Sequence, residues 1–276
     1  MKKKIARLAW RVLRLVLLFY LLFLGFDLFF EEKMIFFPSP YDEREYGERT
    51  SAPIEDVFFT TSDRKRIHAW FSPRDPEAPT LLWFHGNAGN IANRIDQHQV
   101  LHEGGFNVFA VDYRGYGRSE GSPDEKGTYL DAVAAYDALA SRKDIDPKRI
   151  VAFGQSLGSA VALDLALQRP CERVILEAPF TSVPAMASVA YPVPGVSYMV
   201  RTKYDNLSKV THLALPLLVI HGDRDEIIPF AMGKAVHAAA AGPRELWEVP
   251  GAHHNDVYLV AGREYVRRLR RFCGLE

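Results

Sequence analysis

The sequence predicts an α/β fold built on a mainly parallel sheet with helices on both faces, and three observations carry that expectation. Strand-like and helix-like runs alternate from residue 80 onward. The run Ile150-Val151-Ala152-Phe153 is apolar throughout, as a strand buried on both faces should be. With 276 residues, 48% of them hydrophobic, the chain can also bury one sizeable core without needing a second globular domain.

Strands are expected over 54–61, 67–72, 80–85, 107–113, 149–154, 173–178, 217–221 and 245–250. Helices are expected over 91–102, 126–141, 156–168, 230–241 and 255–272. Only a short turn containing Asp63 separates the first two strands, which suits an antiparallel hairpin. Residues 181–215 break the alternation. Pro184, Pro192, Pro194 and Gly195 interrupt any period there, and an irregular segment of that length is usually a cap or binding loop.

Upstream, no charge occurs from Leu15 to Phe26, and apolar character continues to Phe30 with Asp27 as the interruption. Counted from Val12, the stretch has about the length that a bilayer core requires, and Arg14 can snorkel at one end. Its end, Gly25-Phe26-Asp27-Leu28-Phe29-Phe30-Glu31, is too bulky for signal-peptide cleavage. An uncleaved signal anchor over 1–33 is therefore expected, followed by a connector over 34–53 and a globular domain over 54–276. Lys2, Lys3, Lys4, Arg7 and Arg11 place the N-terminus in the cytoplasm and the rest on the extracytoplasmic side.

Lys+Arg and Asp+Glu number 34 each, so the overall charge gives no reason to expect a nucleic-acid partner. Arg263, Arg267, Arg268, Arg270 and Arg271 fall at helical spacing and read as a solvated helix face. Cys171 and Cys273 form neither a zinc pattern nor a disulfide framework, although a single bridge stays open in an oxidising compartment. His98 and His102 lie four apart without a third ligand, so no metal or other cofactor is expected.

The chemistry concentrates in four loops. In the first, Gly154-Gln155-Ser156-Leu157-Gly158 joins a buried strand to a helix, which is the nucleophile-elbow pattern. Any side chain at Gly154 or Gly158 would meet neighbouring backbone, and the turn holds the Ser156 hydroxyl at the positive end of the helix. The Leu157 N–H then points where an oxyanion would form. In the second, His85-Gly86-Asn87-Ala88-Gly89-Asn90 follows a strand and can supply another donor. The N–H of Asn87 is assigned, with Ala88 as its neighbour and His85 as a brace. The third loop, after strand 217–221, offers Asp223, Asp225 and Glu226. Asp223 suits a turn brace, so Asp225 is taken as the acid. The last strand leads to His253-His254, and spacing alone does not choose the base between them.

Phe84-His85-Gly86-Asn87-Ala88-Gly89-Asn90, Val111-Asp112-Tyr113-Arg114-Gly115-Tyr116-Gly117-Arg118-Ser119 and the Ser156 turn together resemble the α/β-hydrolase superfamily. So do Leu176-Glu177-Ala178-Pro179-Phe180-Thr181-Ser182 and the run from His221 to Pro229. Within the superfamily the chain is similar to membrane-anchored serine hydrolases that include depalmitoylases and lipid hydrolases, from about Met34 onward. The resemblance implies an eight-stranded sheet with a short cap. It sets the acid in a His-Gly-x-x-Asp-x-x-x-Pro run, at Asp225, and the base on the His before Asn-Asp, which is His254. Position 253, commonly Gly in that family, is His here.

Phe180, Met186, Tyr191 and Tyr198 in the insert could line an acyl pocket, with ordinary cap packing as the alternative. An anchored domain beside a bilayer suits a lipid-like ester or thioester substrate. A peptidase or amidase would use the same Ser, His and Asp and need a group for a peptide terminus, for which Glu177 is the candidate. A catalytically silent binding protein is the third reading. Loss of Ser, His or Asp would mark it, and none is missing.

Overall fold

Alternate residues of each central strand enter two different apolar cores, which is why these strands read as continuously apolar. Leu82, Phe84, Ile150 and Ala152 pack into one core, while Leu81, Trp83, Val151 and Phe153 pack into the other. These positions come from a computed structural model that describes residues 2–42, 50–192 and 194–275. Side chains at 2, 6, 9, 16, 19 and 21–30 lie outside the description, as do residues 43–49 of the expected connector.

In chain order the first elements are α1 (Lys2–Ile35), β1 (Phe37–Pro38), β2 (Glu55–Thr60), β3 (Arg66–Ser72), β4 (Thr80–Phe84) and β5 (Ala88–Gly89). Then come α2 (Ile95–Glu103), β6 (Asn107–Val111), α3 (Glu125–Ala140), β7 (Ile150–Gln155), α4 (Leu157–Gln168) and β8 (Arg173–Glu177). Three short helices fill the insert: α5 (Val183–Ala190), α6 (Val196–Met199) and α7 (Asn206–Val210). The chain continues with β9 (Leu217–Gly222), α8 (Phe230–Ala239), β10 (Arg244–Val249), α9 (Val257–Ala261) and α10 (Arg263–Phe272).

Eight strands form one sheet in the order β10-β9-β8-β7-β4-β6-β3-β2. Pairing is parallel from β10 to β6 and antiparallel at β6–β3 and β3–β2. This is the α/β-hydrolase arrangement, and the expected hairpin is β2–β3. Two helices differ from expectation. The run expected from 91 starts as a 3-10 turn, Ile91–Arg94, capped by Asn90, before α2 begins. The run expected over 255–272 is divided at Gly262, whose φ of 53° leaves the right-handed helical region.

Register sets the site. Phe84 pairs with Gly154, Gln155 with Glu177, Glu177 with Ile220, and Gly222 with Val249. The loops after β4, β7, β9 and β10 therefore leave the sheet at nearly one level. The chain passes from β4 to β6 on one side and returns to β7 on the other, so connections diverge between β4 and β7. A crevice opens at such a switch point.

Helix α1 is continuous over 34 residues. Among the described residues, no helix is long and apolar enough to cross a membrane; side chains 21–30 of the expected anchor are outside those residues. Cys171 and Cys273 are buried and free, so the bridge left open by the sequence is not formed. Burial pushes both thiols up to about 12. His102 turns Nε2 to the Pro73 carbonyl at 3.0 Å, and His98 lies 3.4 Å from Ser72 Oγ.

Burial, helped by nearby His102, pushes His98 down to about 3 from an ordinary 6.5. As pH falls, the unfolded chain takes up this proton before the folded chain does. The stability involved is thus complete above about pH 6.5 and is lost progressively toward pH 3. Urea unfolding is expected to show about 1.4 kcal/mol lost per pH unit from this group. His98→Gln should remove most of that slope, and an unchanged slope would reject the assignment.

Candidate active site

Strand β7 runs into α4 with only Ser156 between them, and Ser156 takes φ 54° and ψ −117°. That is strained backbone for a residue with a Cβ, so its surroundings must hold it. A Cβ on Gly154 would overlap the Gly158 carbonyl, and one on Gly158 would overlap the Phe84 carbonyl. The two glycines let α4 sit directly against β4 and β7. The Ser156 N–H donates to the Glu177 carbonyl at 2.9 Å, and Ser159 Oγ donates to the Ser156 carbonyl at 2.6 Å. Leu157 opens α4, where a helix amide has no intrahelical acceptor.

The structure brings Ser156, Asp225 and His254 together. His254 Nε2 is 3.0 Å from Ser156 Oγ, and His254 Nδ1 is 2.7 Å from Asp225 Oδ2. An ionised carboxylate only accepts, so Nδ1 carries the imidazole proton and Nε2 accepts from the Ser156 hydroxyl. Asp225 Oδ1 accepts from the amides of Ile227 and Ile228 at 2.9 and 2.8 Å. Sequence reasoning missed His221, whose Nε2 lies 2.9 Å from the Ile228 carbonyl and 3.2 Å from Asp225 Oδ2. The available signal was a polar residue ending an apolar strand. Burial works to raise the Asp225 pKa, but hydrogen bonds from His221 and His254 and the Ile228 amide outweigh it, holding the carboxyl well below its ordinary value.

The neighbouring candidates have other partners. Asp223 Oδ1 accepts from the Gly251 amide at 2.6 Å, joining the loops after β9 and β10. His253 is exposed and its Nδ1 lies 3.0 Å from Glu226. Its amide is held by Asp256 at 2.6 Å, which turns the chain so that the next imidazole faces inward.

The loop after β4 is braced from several sides. His85 Nδ1 donates to the Gly86 carbonyl at 2.6 Å, and its Nε2 is 3.3 Å from buried Asp112. Tyr113 and Tyr116 donate hydroxyl protons to the carbonyls of His85 and Asn87, at 2.6 and 2.7 Å. Asn87 also accepts from the Phe37 amide at 2.9 Å, and its side chain donates to the Ile35 carbonyl at 2.8 Å. Ala88 lies in β5, paired in parallel with β1.

Two expectations need correction. Glu177 is fully buried, accepting from Gln155 at 2.9 Å and from Tyr265 at 2.6 Å, so it offers no exposed carboxylate to a peptide terminus. Burial raises its pKa against the opposing hydrogen bond from Tyr265. Phe180, Met186, Tyr191 and Tyr198 do not form one pocket. Phe180 is buried in the core beside Tyr204, and Met186 packs partly against that core. Tyr191 is exposed and Tyr198 is 92% exposed, because α5 and α6 are short, surface-lying helices without a buried residue.

A family profile described as serine aminopeptidase, S33, matches residues 75–204. The chain is 36% identical to alpha/beta hydrolase domain-containing protein WAV2 of Arabidopsis thaliana over 261 residues, covering 86% of this chain and 85% of the relative. It is 36% identical to alpha/beta hydrolase domain-containing protein 17B of Homo sapiens over 234 residues, covering 84% and 79%. Among solved structures, the Pyrococcus furiosus esterase Pf2001 matches with a TM-score of 0.70 at 21% identity, covering 86% of this chain and 98% of the esterase.

The contact between α4 and β4 generates a direct expectation. Gly158→Ala must either push α4 off β4 or displace the Phe84 carbonyl. A loss of about 1–3 kcal/mol is expected in urea unfolding, as for other overpacked positions. Wild-type stability in that variant would show that the approach is looser than described.

Proposed function

Because this chain belongs to the α/β-hydrolase superfamily, we propose that it is a serine hydrolase cleaving carboxylic ester or thioester bonds. The observation that carries the reading is the hydrogen-bonded series Ser156–His254–Asp225, at 3.0 and 2.7 Å.

In the proposed reaction Ser156 Oγ attacks the substrate carbonyl carbon while His254 Nε2 takes the hydroxyl proton. The amides of Leu157 and Asn87 stabilise the oxyanion, and each such donor is worth about a hundred- to a thousand-fold in rate. Collapse breaks the bond to the alcohol or thiol, which leaves with the proton from His254. Water, deprotonated by His254, then attacks the acyl-Ser156 ester, releasing the carboxylic acid and restoring the serine. Asp225 holds the imidazole with its proton on Nδ1 and stabilises the imidazolium.

The serine aminopeptidase description of the matched profile favours a second reading, amide or peptide hydrolysis. Against it stands Glu177, the group proposed for a peptide terminus, which is spent on Gln155 and Tyr265.

Residues 1–33 are proposed as a membrane anchor, 34–53 as its connector and 54–276 as the catalytic domain, with 181–215 as the cap. Ile5, Leu8, Trp10, Val12, Leu13, Leu15, Leu17 and Leu18 on α1 are exposed, which supports a lipid environment around that helix. The basic residues ahead of it favour a cytoplasmic N-terminus and an extracytoplasmic catalytic domain. The proposed substrate is therefore lipid-like, an ester with an apolar acyl group.

Fluorophosphonate should label wild type in membranes and fail to label Ser156→Ala, because such probes trap an activated serine. A well-folded wild type that resists labelling would remove the serine-hydrolase reading. Turnover of a series of acyl esters should rise with chain length, and a steady fall beyond acetyl would remove the lipid-like substrate. A reporter fused after Glu276 should be active outside the cytosol; activity confined to the cytosol would reverse the topology.

A further inference from the structure

The loop carrying Asn87 is held from below by its own sheet and from outside by the segment that leaves α1. Phe37 N–H donates to the Asn87 carbonyl at 2.9 Å, and Asn87 Nδ2 donates to the Ile35 carbonyl at 2.8 Å. Ser39 N–H donates to the Gly89 carbonyl at 3.1 Å, extending the β1–β5 pairing. Asn90, at the far end of the loop, donates from Nδ2 to the Pro40 carbonyl at 3.0 Å. One turn before this segment, buried Glu31 accepts from the amides of Arg201 and Thr202 at 3.1 and 2.6 Å. Phe36 is itself buried, with its ring edge toward Tyr204 at 6.4 Å.

A simple tether would need none of these contacts. A linker between an anchor and a catalytic domain is ordinarily solvated and adaptable. Here it adds a strand to the loop after β4 and fixes both the backbone and the side chain of one residue. The Gly86 carbonyl, which shares a peptide plane with the Asn87 N–H, takes the His85 Nδ1 proton at 2.6 Å, and the segment holds the Asn87 carbonyl and side-chain amide on the other side of the same Cα, so the backbone is pinned on both sides of that N–H.

Resting on the serine-hydrolase reading above, we propose that residues 31–40 are positioning residues for the reaction: they aim the Asn87 amide at the oxyanion and, through Glu31, hold the cap segment beside it. The segment touches neither Ser156 nor His254, so its contribution goes through Asn87. It acts on the transition state more than on substrate binding, because the oxyanion forms only as the bond to Ser156 is made.

Two backbone-sensitive variants of the full-length protein in detergent or vesicles test this. Phe37→Pro deletes the N–H that donates to Asn87, whereas Phe37→Ala keeps it and trims a side chain that is already exposed. Asn87→Ala deletes the bond to the Ile35 carbonyl by a separate route. A misplaced catalytic donor costs about a hundredfold. Phe37→Pro is accordingly expected to lower kcat by about ten- to a hundred-fold with KM within about twofold, and Asn87→Ala to lower kcat in the same direction. Phe37→Ala, which keeps the N–H, should lower kcat far less than Phe37→Pro does. Thermal unfolding of each variant gives the folded fraction by which kcat is scaled. An active wild type with Phe37→Pro and Asn87→Ala at its kcat overturns the inference alone. A wild type that neither labels with fluorophosphonate nor turns over an ester overturns the serine-hydrolase reading, and this inference with it.

Discussion

The site depends on how closely α4 approaches the sheet. Gly158 lies against the Phe84 carbonyl and Gly154 against the Gly158 carbonyl, leaving no room for a side chain at either position. That approach holds Ser156 at a φ of 54° with its hydroxyl above the strand ends, and brings the first amide of α4 beside the loop that follows β4. Strain at one residue persists only where the packing around it over-determines the backbone. Here the Ser156 amide bonds to the next strand, and its carbonyl takes the Ser159 hydroxyl.

Electrostatics then fixes proton positions that geometry alone would leave free. Asp225 meets two imidazoles and two backbone amides, a surrounding that favours the ionised carboxylate against the cost of burial. A second buried acid, Asp112, lies behind the Asn87 loop, 3.3 Å from His85 and 3.6 Å from His68, and its Oδ1 accepts from the Ile91 amide at 2.9 Å. Burial opposes its ionisation, and the adjacent His68 and His85 rings outweigh that opposition, holding the carboxyl below its ordinary value. The two carboxylates do different work. One orients an imidazole toward Ser156, and the other stiffens the loop opposite.

Much of this was legible in the sequence because the signals are local. A buried strand running into Gly-x-Ser-x-Gly specifies its turn within a few residues, and an acid three positions beyond the end of β9 is within reach of the same edge. The alternation from residue 80 onward gave the parallel sheet, since each strand–helix unit carries its own period. What stayed hidden depends on distant pairings. Nothing in the period around Phe37 indicates that it would bond to Asn87, 50 positions away, or that Glu31 would reach Thr202. Glu177 looked available because it sits at a strand end. The reversal at Ala178, with φ 47°, and the arrival of Tyr265 from α10 are what enclose it. Neighbouring His253 and His254 could not be separated by spacing; the Asp256 cap on the His253 amide decides which ring turns inward.

The position of β10 at the open edge of the sheet bears on how the protein would fail. Among the described residues this strand pairs only with β9, and the loop leaving it carries His254. Edge strands open at lower free energy than those with neighbours on both sides. Fraying of β10 would carry His254 away from Ser156 while β7, β4 and α4 stayed packed. Mild heat or denaturant would then part His254 from Ser156 reversibly, leaving the Ser156 turn intact, well before the central sheet melts.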